Sequence, residues 1–216
     1  MSRRLITAVS TCALFVSLPV QAATLLEFNF SDNNTTADYV APGFAAAIIT
    51  DGGTGSSIVT GDGNPVGSIS LNGLGSSSNG GANTAGDYLQ FTLAPNPGTT
   101  FDIDSISFEY KHTGSSGTRG GSVRTSVDGF TGGIAGYGEP AVLAFNTSSA
   151  TFPDAAGYIN LTGPVTFRII GFAEGAARNI LYDNIIITGT ATAVPEPTTI
   201  ASLALGATAF LARRRR

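Results

Sequence analysis

Short alternations of apolar and polar residues constrain the fold of this chain more than any other feature. They recur about every ten residues or a little more, from residue 24 to residue 188, and segments rich in Gly, Ser and Asn separate them. Alternation with a period of two places successive side chains on opposite faces of a strand. No long segment shows the 3.6-residue period of an amphipathic helix. The pattern therefore predicts an all-β domain, a β-sandwich, over residues 23–189.

The predicted strands differ in length and in apolar content. They cover residues 24–30, 56–60, 66–71, 87–94, 101–111, 122–128, 141–146, 165–172 and 180–188. A further apolar run spans 44–50, and 72–86 is predicted to be a loop. The last two strands are the most apolar, which favours central positions for them. In 101–111 the apolar parity changes near Asp104, and such a change predicts a β-bulge.

Residues 1–22 have the organisation of a secretory signal peptide. Two arginines, Arg3 and Arg4, precede an apolar stretch, and small residues favour cleavage after Ala22. We expect the general secretion machinery and signal peptidase to act here, with a twin-arginine route as the alternative. Cys12 is the only cysteine of the chain and leaves with the signal peptide. The exported domain therefore contains neither a thiol nor a disulfide.

The charge balance becomes strongly acidic once both terminal segments are set aside. Residues 23–194 contain five basic and 14 acidic side chains, a net charge of −9. Such a domain is unsuited to neutralising phosphates, so we expect no nucleic-acid partner. Only 12% of the whole chain is charged and 28 residues are Gly, which is typical of an extracellular β-protein.

The last 22 residues have three parts. A Pro195-Glu196-Pro197 tripeptide follows a linker at 190–194, and an uncharged segment occupies 198–212. Fifteen helical residues are at the short end of what spans a hydrocarbon core of about 30 Å. Terminal arginines favour a cytoplasmic end, so the pattern predicts one short transmembrane helix closed by Arg213, Arg214, Arg215 and Arg216.

This tail, over 195–216, resembles the PEP-CTERM sorting signal. The resemblance implies an exported protein of an exopolysaccharide-producing Gram-negative bacterium, whose tail is recognised and removed by the membrane protease-transpeptidase exosortase. It also implies a transient anchor in the inner membrane, followed by residence at the cell surface or in the extracellular matrix. A plain C-terminal membrane anchor with an incidental PEP tripeptide is the alternative.

Parts of the predicted domain, at 101–108, 124–130 and 181–185, resemble jelly-roll domains of PEP-CTERM proteins, which are similar to carbohydrate-binding modules. The resemblance implies a structural Ca²⁺ held by Asp183 with Glu27 or Asn29, all hard oxygen donors. Asp183 shares parity with core residues of the last strand and is therefore predicted to face inward. The alternative is that Asp183 accepts backbone N–H bonds.

Sugar binding by such modules needs aromatic rings near polar groups. The chain has no Trp, and Tyr88 and Tyr110 are the candidate platform on one sheet face, with Arg119 or Arg124 nearby. Tyrosines at the edge of an apolar core are the alternative.

Residues suited to catalysis are few. His112 is the only histidine and is predicted to be exposed, and the sequence contains no G-x-S-x-G motif or Cys/His cluster. Asp102 and Asp104 are the only candidate acid pair, predicted to face solvent. We therefore expect a non-enzymatic surface or exopolysaccharide-matrix protein with a structural or adhesive role. The alternatives are a carbohydrate-binding module supported by calcium and, third, a polysaccharide hydrolase.

Overall fold

The computed structural model describes residues 22–113, 118–138, 144–152, 157–174 and 178–193. Almost all of its regular structure is β-strand. The elements are β1 (Ala23–Phe28), β2 (Tyr39–Val40), β3 (Thr50–Asp51), β4 (Ser56–Val59), β5 (Ser68–Leu74), α1 (Asn79–Ala85), β6 (Tyr88–Leu93), β7 (Thr99–His112), β8 (Arg119–Thr125), β9 (Ala135–Gly138), β10 (Asn146–Thr151), β11 (Val165–Ala173) and β12 (Arg178–Ala193).

The strands form two antiparallel sheets. The order in the first is β10-β7-β12-β1-β2, with β5 also paired to β12 and β4 paired to β5. The second has the order β3-β6-β11-β8-β9. The two strands predicted to be central, β11 and β12, are central. The all-β prediction is confirmed, and the two sheets have a sandwich-like arrangement.

Aromatic rings connect the inner faces of the two sheets. The Phe91 ring, on β6, meets the Phe28 ring of β1 edge-on with 5.3 Å between centroids. It also stacks on the Phe167 ring of β11 at 5.2 Å. All three side chains are at most 2% exposed. Burial of each such ring contributes about 1.5–3 kcal/mol of transfer free energy, so this contact is a main support of the core.

Two bulges interrupt the pairing of β7 with β12. Ser105 pairs with Thr188 while Ile103 pairs with Gly189, which leaves Asp104 as an extra residue. The bulge predicted near Asp104 is confirmed. A second, unpredicted bulge lies in β12, where Asn184 has a positive φ of 47°. Because of this bulge, the side chain of Asp183 lies on the sheet face opposite to the one that strict alternation predicts.

The segment 72–86 is not simply a loop, as its composition had predicted. It contains the end of β5 and then α1, whose Ser78 cap accepts a hydrogen bond from the Gly81 N–H at 3.2 Å. Gly86 ends the helix in the left-handed conformation, with φ 88°. Buried Ala82 packs the helix onto the second sheet. Packing, rather than the weak helix propensity of these residues, accounts for α1.

Several other strands also differ from the prediction. Strand β8 begins at Arg119 and ends at Thr125, after which 126–128 form a 3₁₀ turn. Strand β10 begins at Asn146, so the strand predicted over 141–146 is wrong at 144–145. The four residues of β9 were missed because Ala-Gly-Tyr-Gly has too little apolar alternation. Small residues pair wherever the neighbouring strand offers partners.

The predicted linker at 190–194 is wrong for its first four residues. Strand β12 continues to Ala193, and its last residues pair with the beginning of β7. Within the described ranges, no helix has the length and apolarity required to cross a membrane. The predicted signal peptide up to residue 21, the PEP tripeptide, the transmembrane segment and the terminal arginines lie outside the described residues.

Candidate functional site

The outer face of the second sheet carries a group of polar and aromatic side chains. Gln90 on β6, Arg168 on β11 and Arg124 on β8 form one row, because Arg168 pairs directly with both of its neighbours. We use the name arginine face for the surface formed by these three side chains together with Tyr88 and Phe130. All five side chains are half-buried.

Arg168 is at the centre of the arginine face. Its guanidinium carbon lies 4.3 Å from the ring centroid of Tyr88 and 3.8 Å from that of Phe130. Its Nε donates to Gln90 Oε1 at 3.0 Å, and its Nη1 donates to Asn83 Oδ1 at 3.1 Å. Cation–π contacts and hydrogen bonds therefore fix the guanidinium in both position and plane.

The turn after β8 places Phe130 over Arg168. Phe130 has a φ of 62°, a region that is unfavourable for a bulky residue. Its N–H donates to the carbonyl of Thr125 at 2.8 Å, and its own carbonyl accepts from Arg124 Nη1 at 2.8 Å. These bonds hold the strained backbone, which is a feature often found at functional sites.

Among the described residues, the two arginines of this face have no compensating carboxylate. No described carboxylate lies within ion-pair distance of Arg124 or Arg168, whereas Lys111 forms an ion pair with Asp62 at 2.9 Å on the other sheet. Like charges directly opposite on neighbouring strands destabilise a sheet. A face with planar rings, fixed hydrogen-bonding groups and uncompensated positive charge is suited to holding a polar ring or an anion.

The structure separates the two tyrosines predicted to form a platform. Tyr88 lies on the arginine face, whereas Tyr110 lies in the first sheet, is 6% exposed and points into the core. The hydroxyl of Tyr110 donates to the Gly138 carbonyl at 3.0 Å. Of the two predicted arginines, Arg124 lies on the face and Arg119 is buried. The prediction of one shared sheet face is therefore wrong.

Two residues of this face were missed from the sequence. Arg168 lies between buried Phe167 and buried Ile169, so its alternation alone would have placed it on the outer face. Phe130 carries no comparable signal, since it lies in a turn and its position depends on a positive φ.

Asp183 lies in a second polar site, on the outer side of the first sheet. It pairs with Glu109, is fully buried and lies under the loop 61–67. Its Oδ2 accepts the Asn64 N–H at 2.6 Å, and its Oδ1 accepts the Asn184 N–H at 2.7 Å. The predicted core-facing direction is wrong because of the bulge at Asn184, and the alternative, acceptance of backbone N–H bonds, is confirmed.

The surroundings of Asp183 are acidic. Its pKa is raised to about 6, first by burial and then by the carboxylates of Glu109 and Asp38, against the lowering effect of the two N–H bonds. Glu109 Oε2 is buried without a hydrogen-bond partner. Of the two other predicted calcium ligands, Glu27 lies in the neighbouring strand, β1, and Asn29 Oδ1 accepts the Ser31 N–H at 3.0 Å.

The surroundings of Asp183 contain hard oxygen donors but no complete set of metal ligands. In the described part of the chain, no three His, Cys, Asp or Glu side chains are gathered closely enough to form a metal site. The orphaned oxygen of Glu109 and the acidic surroundings of Asp183 fit a hard cation such as Ca²⁺. Asp38 and Glu109 are therefore better candidate partners for Asp183 than Glu27 and Asn29.

His112 is buried, and Asp102 is held by hydrogen bonds. His112 is 3% exposed, so its predicted exposure is wrong, and burial, with a contribution from Arg119, lowers its pKa to about 4. It is therefore neutral at physiological pH. Asp102 accepts the Asn160 N–H at 2.6 Å and the Thr190 hydroxyl at 3.2 Å, so its carboxylate is half-buried and engaged rather than free in solvent. Asp104, the other predicted acid, is also half-buried.

The end of the chain matches a known family model. Residues 193–216 correspond to the model described as the PEP-CTERM protein-sorting motif. The chain carries a PEP-CTERM sorting motif. The match covers the last 24 residues and begins at the final residue of β12. The motif implies export, cell-surface sorting in a Gram-negative bacterium and processing by exosortase. No curated protein sequence is significantly similar to the chain.

Several solved structures have a related arrangement of strands. TmCBM61, solved with β-1,4-galactotriose, is 10% identical with a TM-score of 0.40, over 74% of this chain and 92% of that one. The CBM22-1–GH10 modules of a Clostridium thermocellum xylanase, complexed with xylohexaose, are 14% identical with a TM-score of 0.46. The match covers 80% of this chain and 29% of that one. A cleaved adhesin domain of Lys-gingipain from Porphyromonas gingivalis is 13% identical with a TM-score of 0.41. The match covers 77% of this chain and 97% of that one. These likenesses are too weak to indicate a ligand.

Proposed function

We propose that this is an exported, non-enzymatic protein of the cell surface or exopolysaccharide matrix, with a structural or adhesive role. The sorting motif that directly follows the last strand carries this proposal. The beginning of the domain supports it as well, since β1 starts at Ala23, next to the predicted signal-peptidase site at Ala22. Removal of both termini at these sites would leave the described strands, from Ala23 to Ala193, in the exported protein.

The intact mass of the protein recovered from the envelope and the medium tests the sorting step. We expect an N-terminus at Ala23 and a C-terminus without the four arginines, because exosortase recognises the PEP tripeptide. Replacing both Pro195 and Pro197 with Ala should leave the tail attached. Thr192→Ala, an exposed change just before the motif, should leave processing unaffected. A wild-type protein that still ends in Arg216 would contradict the proposal.

A carbohydrate-binding role is the second candidate, and the stacked rings of the arginine face support it. A sugar ring packs its C–H face against an aromatic ring while its hydroxyls bond to neighbouring polar groups, and Phe130 and Gln90 offer both kinds of contact. The ligand would then be exopolysaccharide, which is the material around a protein sorted in this way.

Affinity electrophoresis of the exported protein in a panel of bacterial exopolysaccharides tests this role. We expect retardation by at least one polysaccharide, and Phe130→Ala should weaken it by about tenfold, the usual range for loss of one aromatic contact. Tyr39→Ala removes an exposed ring from the other sheet and is the matched control. Equal binding by wild type and both variants would place the ligand elsewhere, and no retardation in any polysaccharide would rule this role out.

We also propose a structural Ca²⁺ beside Asp183. The fully buried Asp183, the unpartnered Glu109 oxygen and the nearby Asp38 support it. Without a cation, the folded state binds more protons than the unfolded state between about pH 4 and pH 6, so this group reduces stability as the pH rises through that range. A bound divalent cation would remove the penalty above pH 6.

Melting temperatures with calcium and with chelator test the proposal. Millimolar calcium should raise the melting temperature by about 5 °C near pH 7.5 and have no effect near pH 4.5, where Asp183 is protonated. Comparison at each single pH cancels the contribution of His112, whose lowered pKa acts in the opposite direction. Asp183→Asn should abolish the calcium response and Asp104→Asn should keep it. Identical melting with calcium and chelator at both pH values would refute the calcium site.

A further inference from the structure

The arginine face concentrates positive charge in a domain that has little of it. Residues 23–194 contain five basic side chains against 14 acidic ones. Two of the five, Arg124 and Arg168, are directly opposite each other on adjacent strands. Of the other three, Lys111 is paired with Asp62 on the other sheet, Arg119 is buried, and the side chain of Arg178 is outside the described part of the structure. Folding therefore brings two scarce cations together on the outer face of the second sheet.

The partners of Arg168 keep its charge available. Gln90 and Asn83, which accept its hydrogen bonds, are both neutral amides, so they orient the guanidinium without compensating its charge. A guanidinium has five N–H donors, and these two bonds use one on Nε and one on Nη1. The remaining donors lie in the same plane, in the fork geometry that matches the two oxygens of a carboxylate or sulfate.

The two aromatic rings restrict what the guanidinium can bind. Tyr88 and Phe130 both pack closely against the guanidinium carbon, so a ligand reaches the group through the edge, where the N–H groups point. The Phe130 ring is half-buried against the guanidinium, and its accessible part offers a surface for a sugar ring. A chain whose sugar rings carry an acid group satisfies both contacts at once, whereas a neutral sugar leaves the charge without a partner.

We infer that the arginine face selects polysaccharides that carry carboxylate or sulfate groups, with Arg168 as the anion-binding residue and Arg124 holding the Phe130 turn and adding positive charge. This inference rests on the proposal that the face binds polysaccharide, and it specifies the chemical class. It also explains why an otherwise unfavourable pair of like charges lies on a sheet surface, since an acidic chain would relieve their repulsion.

The test compares one polysaccharide in two chemical forms, polygalacturonate and its carboxyl-reduced, neutral counterpart, at a constant low calcium concentration. Calcium is held constant because it cross-links acidic chains. We expect the exported protein to bind the acidic form at least about tenfold more tightly, and added salt should weaken that binding. Arg168→Gln should remove the preference while the melting curve stays close to wild type, because Gln retains a hydrogen-bonding amide.

Lys111→Gln is the matched control, since it removes one positive charge from the other sheet. If Lys111→Gln and Arg168→Gln weaken binding equally, general charge attraction is responsible and the inference fails. Equal binding of the acidic and neutral forms by wild type overturns the acid preference and leaves polysaccharide binding intact. No binding of either form, together with no retardation in the exopolysaccharide panel, overturns both proposals. Unchanged acid preference in Arg168→Gln would assign the anion to another residue.

Discussion

Replacing Gly121 with Ala is expected to prevent accumulation of folded protein. A Cβ at this position would overlap the Ile170 carbonyl and the Tyr137 ring, which lies directly over the glycine. The ring has no room to move, because the Tyr137 hydroxyl donates to the Ile170 carbonyl at 2.6 Å and contacts the Tyr182 hydroxyl at 2.5 Å inside the core. The cost should be about 4 kcal/mol or more, which is close to the whole stability of many domains.

The amount of exported protein and its denaturant-unfolding curve measure this effect. Gly138→Ala is the matched control: the residue pairs with Gly120 in the same sheet, and no atom lies within 4 Å of its would-be Cβ. It should change the free energy of unfolding by no more than about 0.5 kcal/mol. Wild-type yield and stability in Gly121→Ala would show that the packing of Tyr137 on β8 is incorrect. Because β8 also carries Arg124, this glycine supports the arginine face.

Phe91→Ala is expected to lower the free energy of unfolding by about 3–5 kcal/mol. The side chain is 2% exposed and contacts rings from both sheets, Phe28 on one side and Phe167 on the other. Its truncation leaves a cavity between the sheets and removes two aromatic contacts of about 0.5–1.5 kcal/mol each, which are part of that total. The melting temperature should fall by about 10 °C.

The neighbouring residue provides the control for Phe91. Thr92 lies on the outer face of the same strand, and its hydroxyl bonds to that of Thr166 at 2.9 Å. Thr92→Ala should cost no more than about 1 kcal/mol. If chemical denaturation gives the two variants the same stability, Phe91 does not join the sheets as the structure shows.

Much of the strand content could be predicted, because a strand with one buried face requires apolar and polar residues to alternate along the sequence. Strands β6, β7 and β11 were each recognised within two residues of their observed bounds, and the parity change at Asp104 correctly marked a bulge. Glycine-rich β9 and the start of β8 have no such alternation. Their pairing depends on partners far away in the chain, so it cannot be predicted from the local sequence.

The candidate sites were less accessible for the same reason. The sequence singled out Tyr88, Arg124 and Asp183 individually. That Arg168 lies directly between Gln90 and Arg124 follows only from the register of three strands. The direction of Asp183 was predicted incorrectly, because the bulge at Asn184 shifts the parity by one residue and Asn-Ile shows no sign of it.

By itself, the amino-acid sequence revealed a sorting motif and the class of fold that the protein adopts. A sorting motif is read as a contiguous segment, and strand alternation is a local property, so both are visible without coordinates. Only the tertiary structure decided which side chains meet: the packing of Arg168 against Tyr88 and Phe130, and the burial of Asp183 beside Glu109. Such neighbours come from distant strands, and a shift of one residue in register would separate them.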